Sequence, residues 1–388
     1  MLNPTSEQEK LFWKSAGTAR WAYNYFLSEN EIIYNEYLAN GKTGKRYVSG
    51  NDLRKHINND LKPTTHKWLL EVGSNVVKQS VKDAEKALKS FLAGEIGRPK
   101  YKSKKYSKIS FYVNYESLKR VDGGFRGEKI GFVKTNQALP KLPKGCKYSD
   151  PRISYDGKYW YISFGYPVET KQEELTDESI GIDLGIKDLA VCSNGKTYKN
   201  INKTRKVRKL KKKLKREQKK LSKKIEKNIV GYKDYKEKRV PVYAKPLGEC
   251  KNINKQTNKV KLIYKKIKDI RTNYLHQTTT EIVKTKPSRI VMETLNVRGM
   301  MKNRHLSKAV GEQGFYEFKR QIAYKSALCG IKTVYADRFY PSSKTCSNCG
   351  NIKKDLKLSD RIYHCDCCGL IIDRDFNASL NLANYQSA

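Results

Sequence analysis

Apolar residues recur at three- and four-residue spacing through Val76, Val77, Ser80, Ala84, Ala87, Leu88 and Phe91, with Lys78, Gln79, Lys82 and Lys86 left on another side. That period predicts an amphipathic helix. Upstream, Thr5 and Ser6 precede Glu7 and Glu9, and a stripe through Leu11, Ala16 and Trp21 predicts an earlier helix. Gly94, Gly97 and Pro99 close this helical stretch, which runs from Pro4 to about Gly97. The period then shortens to two. Tyr159 to Tyr166 reads as an aromatic strand behind the Asp156-Gly157 turn, and Ile130 to Val133 as a shorter one. Short strands broken by Gly and Pro, from about 106 to 170, predict a small barrel or curled sheet.

A polar linker, Glu169 to Glu178, leads into Ile180-Gly181-Ile182-Asp183-Leu184-Gly185. Ile180, Ile182 and Leu184 share one strand face, which leaves Asp183 on the other between two glycines. Leu189 to Cys192 then turns at Asn194-Gly195 towards a third strand, an antiparallel meander. Between Lys203 and Lys227 lie fifteen Lys or Arg and two Glu, yet Val207, Leu210, Leu214, Leu221 and Ile225 keep a helical stripe. Such a run docks as a helix with its charges outward. Val260 to Val283 is the expected partner helix of a hairpin, and Asn228 to Asn258 an exposed connection. Further on, Ser288 to Met292 predicts a strand ending at Glu293, Phe315 to Cys329 a helix, Lys332 to Ala336 a strand, and the residues after Asp375 a short helix.

Charge changes what this assembly is for. The 388 residues carry 80 Lys plus Arg against 39 Asp plus Glu, a formal net charge of +41. Self-repulsion of that size disfavours compaction unless a polyanion neutralises it, so nucleic acid is the first partner to expect. With 38% hydrophobic residues, wholesale disorder is not expected. No secretory signal precedes Lys10 and no run reaches the ~18 apolar residues of a membrane span. A cytoplasmic, nucleoid-associated protein without a membrane partner is expected.

Two constellations carry chemistry. Five of the nine cysteines fall between Cys346 and Cys368, a clustered use that reads as metal binding rather than disulfides. Cys346-Ser-Asn-Cys349-Gly350 and Cys365-Asp-Cys-Cys368-Gly369 match a four-thiolate zinc ribbon. The trailing glycine selects Cys368 over Cys367, and four protein ligands make the zinc structural. His364 reads as a neighbouring surface residue. The second constellation is Asp183, Glu293 and Asp375, the last within Asp373-Arg374-Asp375-Phe376-Asn377-Ala378. Singly, each acid on so basic a chain is most simply a solvated charge. Together they suit a pair of magnesium or manganese ions that activate water and stabilise a leaving oxygen in phosphodiester hydrolysis.

These motifs, with Ile290-Val291-Met292-Glu293 and Asp337-Arg338-Phe339-Tyr340-Pro341-Ser342-Ser343-Lys344-Thr345-Cys346, resemble the TnpB family, transposon-encoded nucleases related to type V CRISPR effectors. The similarity extends to Pro4-Thr5-Ser6-Glu7-Gln8, Gly17, Arg20, Tyr23, Asn24 and the basic Gly97 to Lys104 segment. The resemblance implies an RNA-guided DNA endonuclease, with a guide RNA from the element end and double-stranded target DNA as partners. It implies a multidomain α+β and α/β chain. Expected are a helical recognition domain (1–100), a wedge-like β-barrel (101–172), a RuvC-like, ribonuclease-H-type domain with a basic helical insertion (173–344), a zinc ribbon (345–369) and a last RuvC-like segment (370–388). Asp183, Glu293 and Asp375 would be its metal-binding catalytic acids, and Cys346, Cys349, Cys365 and Cys368 its zinc ligands. Lys78 and Gln79 resemble the region that contacts the duplex beside the target. Lys102, Arg208, Lys212 and Arg338 are further nucleic-acid candidates.

One departure stands out. Family members begin with a β-strand before the Pro-Thr-x-Glu-Gln segment, whereas this chain starts where that strand would be ending, so an open barrel edge is expected. Three other readings compete. A transposase that joins strands itself normally orders its acids Asp, Asp, Glu, against Asp, Glu, Asp here. Retention of all three acids disfavours a catalytically weak or inactive RNA-guided binding protein, and a purely RNA-binding structural protein explains the charge but not the acids.

Overall fold

The computed structural model describes every residue except 105, 169–172, 236–237, 358 and 387–388. The chain divides into two units, Met1–Val168 and Glu169–Ala388. No helix among the described residues is long and apolar enough to cross a membrane.

The first unit holds strand β1 (Leu2–Asn3), helices α1 (Ser6–Ala39), α2 (Gly50–His56) and α3 (Ser74–Leu92), and strands β2 (Ile109–Tyr112), β3 (Lys119–Val121), β4 (Gly124–Gly127), β5 (Gly131–Thr135), β6 (Ser149–Tyr155) and β7 (Trp160–Gly165). Thr5 caps α1 in a reciprocal box with Gln8, and the Gln8 amide also donates to the Ile130 carbonyl at 3.0 Å. The Pro-Thr-Ser-Glu-Gln motif therefore fixes the helix start onto the sheet. Phe12, Ala16 and Ala19 of α1 pack on Phe111, Phe125, Ile153 and Trp160 of the sheet. One to two turns later Ala22, Tyr23, Phe26 and Leu27 pack on Val77, Val81 and Ala84 of α3.

The sheet order among described strands is β2-β6-β7-β1-β5-β4-β3. Its end strands β2 and β3 are each paired on one side, so the expected barrel is not closed; Lys119 and Arg120 leave one edge charged, which resists further pairing. The expectation of a missing first strand is also corrected. Leu2 and Asn3 form β1 between β5 and β7, with Leu2 opposite both Thr135 and Trp160 and only 3% exposed. Two residues suffice because Leu2 bridges two neighbours and Asn3 adds a second pair with β5.

The second unit is built on β8 (Thr176–Leu184), β9 (Asp188–Cys192), β10 (Thr197–Lys199), β11 (Ile229–Tyr235), β12 (Lys238–Tyr243), β13 (Pro287–Glu293), β14 (Lys332–Ala336), β15 (Ile362–His364) and β16 (Ile371–Asp373), with helices α4 (Arg205–Glu226), α5 (Lys251–Lys284), α6 (Val297–Lys302), α7 (Ser307–Gln313), α8 (Phe315–Leu328) and α9 (Arg374–Ala383). Its main sheet runs β10-β9-β8-β13-β14, antiparallel through the meander and parallel across β8, β13 and β14. Strand β8 takes the last residues of the expected linker, whose residues 169–172 lie outside the described ones.

Alternation on β8 decides what covers each face. Ile180, Ile182 and Leu184 join Leu275 and Ile282 of α5 and Phe315, Phe318 and Ile322 of α8 in the largest core. On the opposite face α9 lies against β8 at Gly181, where a Cβ atom would fall 2.0 Å from the Ser379 carbonyl oxygen and 2.3 Å from the Ala383 nitrogen. The end of α9 is then held by Ser179 and Arg289, which donate to the Ala383 carbonyl at 2.7 and 2.9 Å. The Arg289 guanidinium also suits the negative end of the helix dipole.

The basic run forms α4 and pairs with α5 through Val207, Leu214, Val260, Ile263 and Ile267. The expected connection over Asn228 to Asn258 is corrected in two ways: it contains the β11–β12 hairpin, and α5 begins at Lys251. Hydrophobic periodicity misses this first part of α5 because a polar contact secures it, Gln256 donating to Glu217 at 2.8 Å and to its carbonyl at 3.0 Å.

A methyl group at position 181 must push helix and strand apart. Gly181→Ala is expected to cost about 1–3 kcal/mol in equilibrium urea unfolding, whereas Gly97→Ala, with open space around its Cβ position, stays near wild type.

Candidate functional site

Asp183 shares a strand face with Gly181, so the contact that admits α9 at Gly181 also turns Asp183 towards that helix. The parallel register pairs Met292 with Ile182, which carries Glu293 to the same end of the sheet. The Leu184 N–H donates to Glu293 Oε1 at 3.3 Å. Asp375 enters from the first turn of α9. Asp373 is the N-cap of that helix, its Oδ1 accepting from the Asp375 and Phe376 N–H groups at 3.0 Å each. The division of labour in Asp-Arg-Asp is thereby explained: the first acid shapes the helix start and the second is presented beside it.

The electrostatics place the three sequence-chosen acids in one field. Burial raises the Asp183 carboxyl well above the ordinary carboxylate range, and the charges of Glu293 and Asp375 raise it further, against a lowering by Arg374. Glu293 is raised by burial and by Asp375, partly offset by the Leu184 N–H and by Lys319. Arg374 donates to Asp375 Oδ1 at 3.0 and 3.2 Å, and Arg361 stands 3.8 Å from its other oxygen. Glu293 and Asp375 thus act on the buried Asp183 as like charges, each disfavouring its ionised form.

Several supporting residues carry no motif in sequence. Lys319 of α8 donates to the Glu293 carbonyl. Gln313, 4% exposed, donates to the Gly185 carbonyl at 2.7 Å and holds the turn after Asp183. Asn377, fully buried, accepts from the Ser347 N–H at 2.9 Å and donates to the Thr345 carbonyl at 2.7 Å. Asn377 had a signal in its place within the Asp373 to Ala378 motif; nothing local marks Gln313 or Lys319.

Among the described residues, Cys346, Cys349, Cys365 and Cys368 form the group whose ligand atoms fit one metal ion, all lying within 4.8 Å of one another. Cys346 and Cys368 sulfurs are 3.6 Å apart and Cys349 and Cys365 sulfurs 3.5 Å. A tetrahedron with ~2.3 Å zinc–sulfur bonds has edges of about 3.8 Å, so the thiols fit zinc. Each knuckle closes alike: Gly350 N–H donates to the Cys346 carbonyl and Gly369 N–H to that of Cys365, with both glycines at positive φ, 76° and 73°. Backbone amides, first that of Cys368, lower the Cys365 thiol, and Cys368 falls to about 6 through the Asn348 side chain and the Leu370 amide. Cys367 and His364 are exposed and outside the group.

The basic candidates are dispersed. Lys78 is exposed on α3, while Gln79 donates to Asp83 at 3.0 Å. Arg208 and Lys212 are exposed one turn apart on α4, and Arg338, also exposed, lies 5.5 Å from the Phe339 ring. Lys102 instead sits 3.7 Å over the Tyr23 ring.

Comparison with known proteins gives three family matches: a helix-turn-helix domain of the OrfB/IS605 type over residues 1–40, an OrfB/IS605 "Probable transposase" model over 163–304, and a Cas12f1-like TNB domain over 315–382. The first falls on β1 and the single continuous helix α1. Two relatives carry the printed name "Putative RNA-guided DNA endonuclease". The one from Streptomyces pristinaespiralis is 28% identical, covering 98% of this chain and 86% of the relative. The other, InsQ of Escherichia coli K12, is 26% identical, covering 98% and 90%. In a Cas12f1–guide RNA–target DNA complex, the Cas12f1 chain has the same fold at a TM-score of 0.57 and 16% identity, over 98% of this chain and 83% of that one.

Two outcomes check the site. Raised carboxyls bind protons more tightly in the folded than in the unfolded chain, so metal-free stability falls as pH rises from the ordinary carboxylate range through the raised value. Asp183→Asn is therefore expected to raise the thermal midpoint at neutral pH without divalent metal, and the gain should shrink when magnesium is added. For the thiolates, metal analysis of Cys346→Ser is expected to show about one zinc fewer per chain.

Proposed function

The chain belongs to the TnpB family, and from that premise we propose that it is a metal-dependent, RNA-guided DNA endonuclease of a transposable element. The observation that supports this reading is the effect of Glu293 and Asp375 on the buried Asp183 carboxyl, on a β10-β9-β8-β13-β14 sheet whose order is compatible with a ribonuclease-H-type core. The names of the full-length relatives support the substrate and the guide.

In this reading Asp183, Glu293 and Asp375 would hold magnesium or manganese, whose chemistry would be to activate a water and stabilise a leaving oxygen. The protein does the rest. Gly181 lets α9 close on β8 and so sets the spacing of Asp375 from Asp183. The Leu184 amide and Lys319 orient Glu293, and Asp373 fixes the helix turn that presents Asp375. Arg374 and Arg361 partly neutralise Asp375. Cys346, Cys349, Cys365 and Cys368 would hold zinc for structure, since four protein ligands would leave no open position for substrate. Sequence choice falls to base pairing with the guide, which leaves the protein to bind backbones with its excess of positive charge.

Asp183→Ala is expected to abolish cleavage of a guide-matched plasmid in magnesium while guide and target binding persist in a gel-shift assay. Metal-dependent cutting by that variant would remove Asp183 from the catalytic set.

A further inference from the structure

Residues from two separate stretches of sequence meet in one cleft of the Met1–Val168 unit. Asn24 of α1 grips the backbone of Lys102 twice, its Nδ2 donating to the Lys102 carbonyl at 2.8 Å and its Oδ1 accepting from the Lys102 N–H at 2.7 Å. That clamp sets the Lys102 ammonium over the Tyr23 ring, one position before Asn24. Across the cleft Arg152 donates to both oxygens of Asp83, at 2.7 and 3.0 Å. The walls between them carry Arg20, Lys102, Lys108 and Arg152, together with Ser103 and Ser107.

This lining is short of negative charge. Arg152 is compensated by Asp83 and, from outside the lining, by Asp150 at 2.9 Å, which leaves Arg20, Lys102 and Lys108 with no carboxylate of their own among the described lining residues. Burial lowers the Lys102 ammonium; Asp83 offsets part of that and Arg152 adds to it. The two hydroxyls are arranged as donors. Ser107 Oγ accepts from the Ser103 N–H at 2.9 Å, and Ser103 Oγ from the Tyr106 N–H at 3.1 Å, so each hydroxyl hydrogen is left to be donated. Cations and hydroxyl donors fixed around a hollow match a tetrahedral oxyanion, which takes charge-assisted bonds on several oxygens at once. A neutral or cationic ligand would leave the charge uncompensated.

We propose that this cleft binds one phosphodiester of a nucleic-acid backbone, held by Lys102 and Arg20 with the hydroxyls of Ser103 and Ser107. The site rests on the nucleic-acid reading above for the nature of its partner, and on geometry for its place. It gives the Asn24 clamp and the Tyr23 ring a purpose: they hold an ammonium ready where solvation alone would not keep it. It also borders α3, since Gln79 is tied to Asp83. A backbone contact here would set the register of whatever nucleic acid meets the exposed Lys78.

The test is salt dependence of binding by the full chain, followed by fluorescence anisotropy with two probes, a labelled double-stranded DNA and the labelled RNA that copurifies with the protein. Each phosphate contact releases counterions, so losing one lowers the slope of log affinity against log salt by about one. Lys102→Met and Arg20→Gln are each expected to lower it by about that amount with one probe, and to weaken binding equally for all sequences of that probe. A loss confined to DNA or to RNA supports the site and names the strand it holds. If Lys102→Met lowers the thermal midpoint, Arg20→Gln, at a half-buried position, carries the readout. Unchanged slopes with both probes overturn the proposal. Binding is measured without cleavage, so a failure of the nuclease reading leaves this result standing.

Discussion

Helix α9 rests directly on strand β8 because Gly181 has no side chain to keep them apart, and the candidate site depends on that approach. The same face of β8 carries Asp183 two residues on, so the contact that seats the helix also aims the first acid at the third. Glu293 needs no contact of its own with α9: parallel pairing of β13 with β8 brings it to the same end of the sheet. The remaining residues mainly keep this geometry from relaxing. Ser179 and Arg289 hold one end of α9 through the Ala383 carbonyl, and Asp373 shapes the other.

The helix also links the acid cluster to the cysteine knuckles. Within one turn, Asp375 faces the acid cluster and Asn377 binds the segment leading into the first cysteine knuckle; Asn381, one turn later, donates to the Ser342 and Thr345 carbonyls. Arg361, which precedes β15 of the ribbon, stands beside Asp375. A ribbon that lost its thiolate ion would therefore loosen the support of the third acid. The acids themselves repel one another, and burial makes the repulsion stronger than it would be in water. Folding holds them in one another's field at a cost to stability, which is what the proposed cation site would relieve.

Much of this was legible in the residues. The cysteine spacing with its trailing glycines picked out the four thiols that the structure gathers, and the Gly-x-Asp-x-Gly pattern placed Asp183 on a strand, on the face opposite Ile180, Ile182 and Leu184. The helices α1, α3 and α8 followed from apolar periodicity. What escaped shares a physical cause, namely polar contacts between distant segments. Gln256 on Glu217 extends α5 beyond its apolar stripe, and Gln313 and Lys319 reach backbone carbonyls that no pattern announces. The two-residue strand β1 was misjudged because strand signals need length, whereas Leu2 is fixed by a partner on each side. Closure of the small barrel failed for the converse reason: alternation predicts strands but does not say whether the end strands meet.

The account turns on whether the three acids act as one site for divalent cations. Anomalous diffraction from crystals soaked in manganese tests this most directly. The account predicts density between Asp183, Glu293 and Asp375, with Arg361 and Arg374 displaced from Asp375. An anomalous map empty at that position at saturating manganese, with the arginine contacts of Asp375 intact, would contradict it.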